Sequence, residues 1–230
     1  MSNYGELKTE VGNRLARSTT ELTGLIPTFI SESIEEICEE NNWWFMKTTV
    51  PLTTSEAQTE LHESIKEIDK LYIVLSSPYS YKELPILTVD DAVRIYKPDE
   101  ETAEPVHAVI ESSTMTLFPP PDKSYDLMIL CWRYFDDLSD NADSNFLTVY
   151  KKKLVVAGAL DRGFDYLQEY EDSAKWNQRF TRYMRLLRRE HNSRILSGET
   201  TLNPKSGSGE TAITERMRVG LGYNPLTGYM

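Results

Sequence analysis

The spacing of apolar side chains changes twice along this 230-residue chain, from helical to alternating and back again. Tyr4, Leu7, Val11 and Leu15 recur every three to four residues and predict a first helix from about Asn3 to Ser18. Ile26, Ile30, Ile34, Ile37 and Cys38 form the stripe of a second, with Glu32, Glu35, Glu36, Glu39 and Glu40 on its remaining surface. Its start is expected near Pro27, because a first-turn proline lacks an N–H that would have no intrahelical partner. Helical spacing returns only at Asn145. From there Phe146, Leu147, Tyr150, Leu154, Ala157 and Leu160 predict a long buried helix to about Tyr170. Gly158 and Gly163 either weaken it or let another backbone come close. A last helix is expected from about Asp172 to Arg194, with Trp176, Phe180, Tyr183, Met184 and Leu187 on one side.

Between the helical stretches, proline punctuates the chain. Trp43-Trp44-Phe45-Met46 reads as an apolar plug at the seam. Thr48 to Thr54 contains Pro51 and is expected as an edge strand, since proline cannot donate inside a ladder. Glu56 to Lys66 is polar and ambiguous, with partial helix as one reading. Leu71 to Leu75 is a short buried strand, and Val89 to Tyr96 a short helix among Pro78, Pro85, Pro98 and Pro105. Val106 to Ile110 and Thr114 to Phe118 flank Glu111-Ser112-Ser113 as a hairpin, and Tyr125 to Phe135 is the longest strand candidate. The expected fold is α+β but mainly α: a four-helix bundle formed by N- and C-terminal helical pairs, with a β-rich insertion and an extended C-terminal tail. The domains so read are residues 1–47 and 139–196 for the bundle, 48–138 for the insertion and 197–230 for the arm.

Charge is distributed unevenly. Residues 1–150 hold 11 Lys and Arg against 27 Asp and Glu, whereas residues 151–194 hold 11 against 6. A chain of net charge −11 is a poor candidate for tight nucleic-acid binding alone, because phosphate neutralisation supplies most of that affinity. The same polarity suits self-assembly, in which one subunit's basic face meets a neighbour's acidic one. No apolar run approaches the roughly 18–20 residues a membrane span needs. The first residues lack a basic start followed by an apolar stretch, so folding in a cytoplasm without a membrane partner is expected. Cys38 and Cys131 have no partners at metal-ligand spacing and read as small buried hydrophobes.

Catalysis has little support. His62, His107 and His191 stand far apart, without a His-Glu-x-x-His pattern, and neither a nucleophile elbow nor a phosphate-binding loop occurs. Gly220-Leu221-Gly222 lies outside any strand-turn-helix context. Carboxylate pairs such as Glu169/Glu171 and Asp136/Asp137 arise by chance in a chain with 36 acidic residues. No enzyme activity, cofactor or metal is expected. Two surface features carry the binding expectation instead. Leu202, Ile213, Met217, Val219, Leu221, Tyr223, Leu226 and Tyr229 recur through a polar C-terminal stretch and look like anchors of a segment that orders on a partner. Arg179, Arg182, Arg185, Arg188 and Arg189 share half of the last helix. Their plain reading is a solvated face, and the other is a contact with an acidic partner.

Four landmarks resemble one known family. Tyr4-Gly5-Glu6-Leu7-Lys8 through Leu15, followed by Leu25-Ile26-Pro27-Thr28-Phe29-Ile30, is similar to the N-terminal helical pair of the tailed-bacteriophage head-to-tail adaptors. Leu117-Phe118-Pro119-Pro120-Pro121-Asp122 with Tyr125-Asp126-Leu127 and Tyr134-Phe135 resembles that family's strand, proline turn and strand. Leu138-Ser139, Asn145-Phe146-Leu147 and Leu154 to Leu160 match its third helix, and Trp176-Asn177-Gln178-Arg179-Phe180 its last. Where the family carries a Pro-Asp-Phe-like motif, this chain has Glu67-Ile68-Asp69-Lys70-Leu71. The resemblance implies a structural protein of the virion neck, assembled in the bacterial host cytoplasm as a homo-oligomeric ring, usually of twelve copies. Its partners would be the portal, a tail or nozzle protein, and double-stranded DNA passing without sequence-specific binding. On this reading the C-terminal anchors from Leu202 to Tyr229 would bind the portal or another subunit, and the face of Arg179, Arg182, Arg185, Arg188 and Arg189 would meet acidic subunit or portal partners or line the DNA channel. The rival readings are a tail-associated cell-wall hydrolase, which needs two facing carboxylates about 5–9.5 Å apart, and a standalone nucleic-acid-binding helical protein.

Overall fold

The computed structural model describes residues 3–16, 19–75, 80–97 and 101–202. The chain divides into two compact units, one ending at Phe180 and the other beginning at Thr181.

In the first unit, α1 (Tyr4–Leu15) starts at Asn3, whose side chain accepts from the Glu6 N–H. It stops short of Ser18 because Ala16 turns into the left-handed region at φ 52°, a turn that no glycine marks in the sequence. α2 (Thr20–Glu40) begins a full two turns before Pro27. The Thr19 hydroxyl caps it by accepting from the Leu22 N–H. Pro27 therefore lies inside the helix, and the backbone bond it forgoes would have gone to the carbonyl of solvent-exposed Thr23. α4 (Phe146–Tyr150) and α5 (Lys152–Tyr166) replace the single long helix expected from Asn145 to Tyr170. They part at Lys151, after a capping box in which Asn145 and Thr148 satisfy each other's backbone N–H. α6 (Tyr170–Leu202) is the longest element, at 33 residues.

Among the described residues eight strands form two four-stranded sheets. The first contains β1 (Lys47–Thr54), β8 (Tyr125–Arg133), β3 (Ile65–Leu75) and β4 (Ser80–Leu84), in that order and antiparallel throughout. Pro51 stands in β1 at the sheet edge, opposite Met128, where its missing N–H breaks no interior ladder. The second sheet runs β2 (Gln58–Glu60), β7 (Thr114–Phe118), β6 (His107–Glu111) and β5 (Ile86–Leu87). Its β5–β6 pair is parallel, and short α3 (Val89–Ile95) follows β5. Leu71, Ile73, Leu127 and Ile129 of one sheet and Ala108, Met115 and Leu117 of the other belong to a single buried cluster, so the two sheets share one core.

The expectation of a mainly α four-helix bundle closed by two helical pairs around a β insertion is not met. The molecule is α+β, with sheets that have a core of their own. In the helical layer α1 and α2 both pack on α5. The cause lies in α5: residues 154–160 are all buried, so it is apolar all round and accepts neighbours on more than one side. A bundle helix of the expected kind would keep one polar face. The polar stretch from Glu56 to Lys66 also proves to be sheet rather than helix, contributing β2 and the start of β3. β3 carries register shifts between Ile65 and Glu67 and between Ile68 and Lys70. Each bulge resets the alternation of faces, which hides the strand from a period-two reading.

Candidate assembly interface

Two joints fix the helices to the sheets. The last carbonyls of a helix have no intrahelical donors, and α2 ends in acidic residues with no basic residue in its last turn. Side chains from beyond the helix supply the missing donors. The Trp43 indole N–H donates to the Ile37 carbonyl. Lys66, on β3, donates to the carbonyls of Cys38 at 2.7 Å, Asn41 at 3.1 Å and Glu39 at 3.3 Å. A cation here also offsets the negative end of the helix dipole. Lys66→Met keeps the stem but removes the ammonium, and is expected to cost about 1–2 kcal/mol in urea unfolding. Beside this joint Phe45 stacks on Phe146 at 4.5 Å and on Phe135 at 6.0 Å, joining the 3-10 turn Trp44–Met46 to α4 and to the exit of β8. Trp43-Trp44-Phe45-Met46 thus occupies the seam.

The groove beside this joint was not visible in the sequence. About 710 Å³ of space lies between α2 and residues 134–138. Its floor includes Ile30, Ile34, Cys38, Phe135 and Leu138, and its rim carries Glu35, Glu39, Asp136 and Asp137. Asp136 is paired with Arg133 at 2.7 Å, whereas the carboxylates of Glu35, Glu39 and Asp137 form no salt bridge among the described residues. The two neighbouring acids on α2, Glu32 and Glu36, are both held by Arg162 of α5. Burial pushes the Cys38 thiol up to about 12 and raises that of Cys131, so neither offers a thiolate at neutral pH.

The five arginines of the last helix do not behave alike. Arg179, in the first unit, lies over the Trp176 ring at 4.2 Å, with Arg14 over the same ring at 5.5 Å. Arg188 already has an interaction of its own. Arg182, Arg185 and Arg189 are exposed and make no salt bridge among the described residues. In the second unit Met184, Leu187 and His191 are buried, while Leu186 and Leu196 are 49% and 75% exposed. At 100° per residue Arg182, Arg185, Leu186, Arg189 and Leu196 fall within about 100° of one another, opposite the buried side. Of the proposed anchors, Leu202 is the final residue of α6. Ile213, Met217, Val219, Leu221, Tyr223, Leu226 and Tyr229 lie outside the described residues.

Exposed apolar side chains also occur on β5, α3 and the approach to β6: Val93 is 73% exposed and Ile95 57%, and Ile86, Val89 and Val106 are exposed as well.

His62 is bonded to Ser64 and His107 to Tyr96, in separate places. Hydrogen bonding from Lys152 holds the Glu10 carboxyl below its ordinary value, and backbone N–H groups of Asp140 and Ser139 lower that of Asp143. Both shifts run opposite to the one a general acid needs. Among the described residues no group of three or more His, Cys, Asp or Glu is placed to hold a metal ion, and no helix is long and apolar enough to cross a membrane.

Comparison with known proteins adds one finding. The family model described as SU10 adaptor protein matches residues 2–202, which takes in every helix and strand above. No curated protein matches the chain.

Proposed function

The chain belongs to the SU10 adaptor protein family, which makes it a phage adaptor and a structural component of the virion, and from that premise we propose that it is one subunit of a ring joining the portal to the tail. Membership of an adaptor family supports a place at the virion neck, beside portal and tail components. The ring would number about twelve copies, close the head's exit and form part of the path by which DNA leaves. A ring of identical subunits needs two different lateral faces on one chain, meeting head to tail and closing by rotation.

The observation that carries this reading is the placement of unsatisfied chemistry. It consists of two surfaces of opposite sign, an acidic groove and a basic helix face, whose charges Glu35, Glu39 and Asp137 and Arg182, Arg185 and Arg189 form no salt bridge among the described residues. A net-acidic wall with few free arginines also suits a conduit, because each phosphate contact would add affinity and slow the passage of DNA.

Mass measurement on the purified protein, with and without portal, tests the proposal. The lone chain is expected as a monomer or weak oligomer, and a ring is expected to form on the portal. Stable large rings of the chain by itself, or no association with portal at any concentration, would contradict it.

A further inference from the structure

Resting on the ring reading, we infer that the outward face of α6 in one copy docks into the acidic groove of the next copy, and that this pairing is the lateral contact. The two surfaces match in three respects. Among the described residues Arg182, Arg185 and Arg189 present three cations without a salt bridge, and Glu35, Glu39 and Asp137 three carboxylates without one. Exposed Leu186 and Leu196 lie among the arginines, and the groove has an apolar floor of Ile34, Phe135 and Leu138 between its acids. Both surfaces are carried by every copy, so they occur in equal number, as a closed ring requires.

The leucines separate this partner from the other occupants. Duplex DNA offers the arginines phosphates but offers Leu186 and Leu196 no apolar surface to bury. A floor of isoleucine, phenylalanine and leucine beneath carboxylates calls for a basic, amphipathic helix, and the outward half of α6 has that composition. The arginines are thereby used up in subunit contact and do not line the channel.

Charge exchange tests this in the full-length chain. One variant, Arg185→Glu with Arg189→Glu, makes both faces acidic. A second, Glu35→Arg with Asp137→Arg, makes both faces basic. All four positions are exposed, so both variants are expected to keep the wild-type circular dichroism and melting profile. Each alone would set like charges against one another and raise the concentration needed for ring assembly on portal by about tenfold or more. An equimolar mixture would restore assembly, because an alternating ring pairs acid with base at every contact. So would the four substitutions combined in one chain.

Wild-type assembly by either single variant would overturn the inference while leaving the ring reading intact. Loss that neither the mixture nor the combined chain repairs would also overturn it, since the two faces would then meet the portal rather than each other. Failure of the wild-type chain to assemble on portal counts against the ring itself.

Discussion

Trp43→Ala is expected to remove about 3–5 kcal/mol of stability, measured by urea unfolding, and to lower assembly on portal in proportion to the fraction left folded. Trp43 is fully buried, stacks on Phe45 at 6.0 Å, and donates its indole N–H to the Ile37 carbonyl. Alanine would open a cavity and leave that carbonyl buried without its donor, and the two costs act together. Trp43→Phe separates them. It keeps most of the ring volume and loses only the N–H, so a smaller cost of about 1–3 kcal/mol is expected. The consequence reaches the groove, because Ile37 is followed on α2 by Cys38 and Glu39, which help to line it. Equal losses for the two substitutions would show that packing contributes little there and that the indole N–H dominates.

Legibility followed distance along the chain. The stripe of α1 could be read because Tyr4, Leu7, Val11 and Leu15 repeat at helical spacing within one element, and all four are buried. The hairpin of β6 and β7 was readable for the same reason, its alternation being unbroken through the turn at Ser112, whose φ is 53°. β4 and β5 were hidden by Pro85, which interrupts the run yet accepts from the Ala108 N–H through its carbonyl and leaves pairing on either side. The division of the α4–α5 stretch at Lys151 had no glycine or proline to mark it. Arg162 ties α5 to Glu32 and Glu36 through contacts between residues more than a hundred positions apart, which no local pattern marks. The same holds for the acidic groove. Glu35 and Asp137 come from segments separated by the whole β region, and no local pattern could have placed them on one rim. The basic face needed only one helix, which is why it was visible first.

Gly158→Leu is expected to cost about 3 kcal/mol, because α5 has no room for a side chain at this position. A Cβ placed there would lie 2.3 Å from the Ser33 hydroxyl oxygen and 2.9 Å from a ring carbon of Phe180. Neither neighbour is free to give way. Ser33 is fully buried and donates to the Val155 carbonyl at 3.2 Å, and Phe180 is buried as well. Gly158→Ala sharpens the argument, since two effects oppose one another. Helix propensity favours alanine by about 1 kcal/mol, while overpacking a dense core costs about 1–3 kcal/mol. At 2.3 Å the steric cost wins, so alanine is expected to destabilise despite its higher propensity. Adding Ser33→Ala removes the closest atom, and the pair should therefore be less destabilised than the two single costs combined. A double-mutant cycle showing simple additivity would place the strain elsewhere. The direction of the strain also matters for assembly. Pushing α2 away from α5 moves Ile30, Ile34 and Glu35, which line the groove, so Gly158→Ala should weaken subunit contact by more than its stability loss alone would explain.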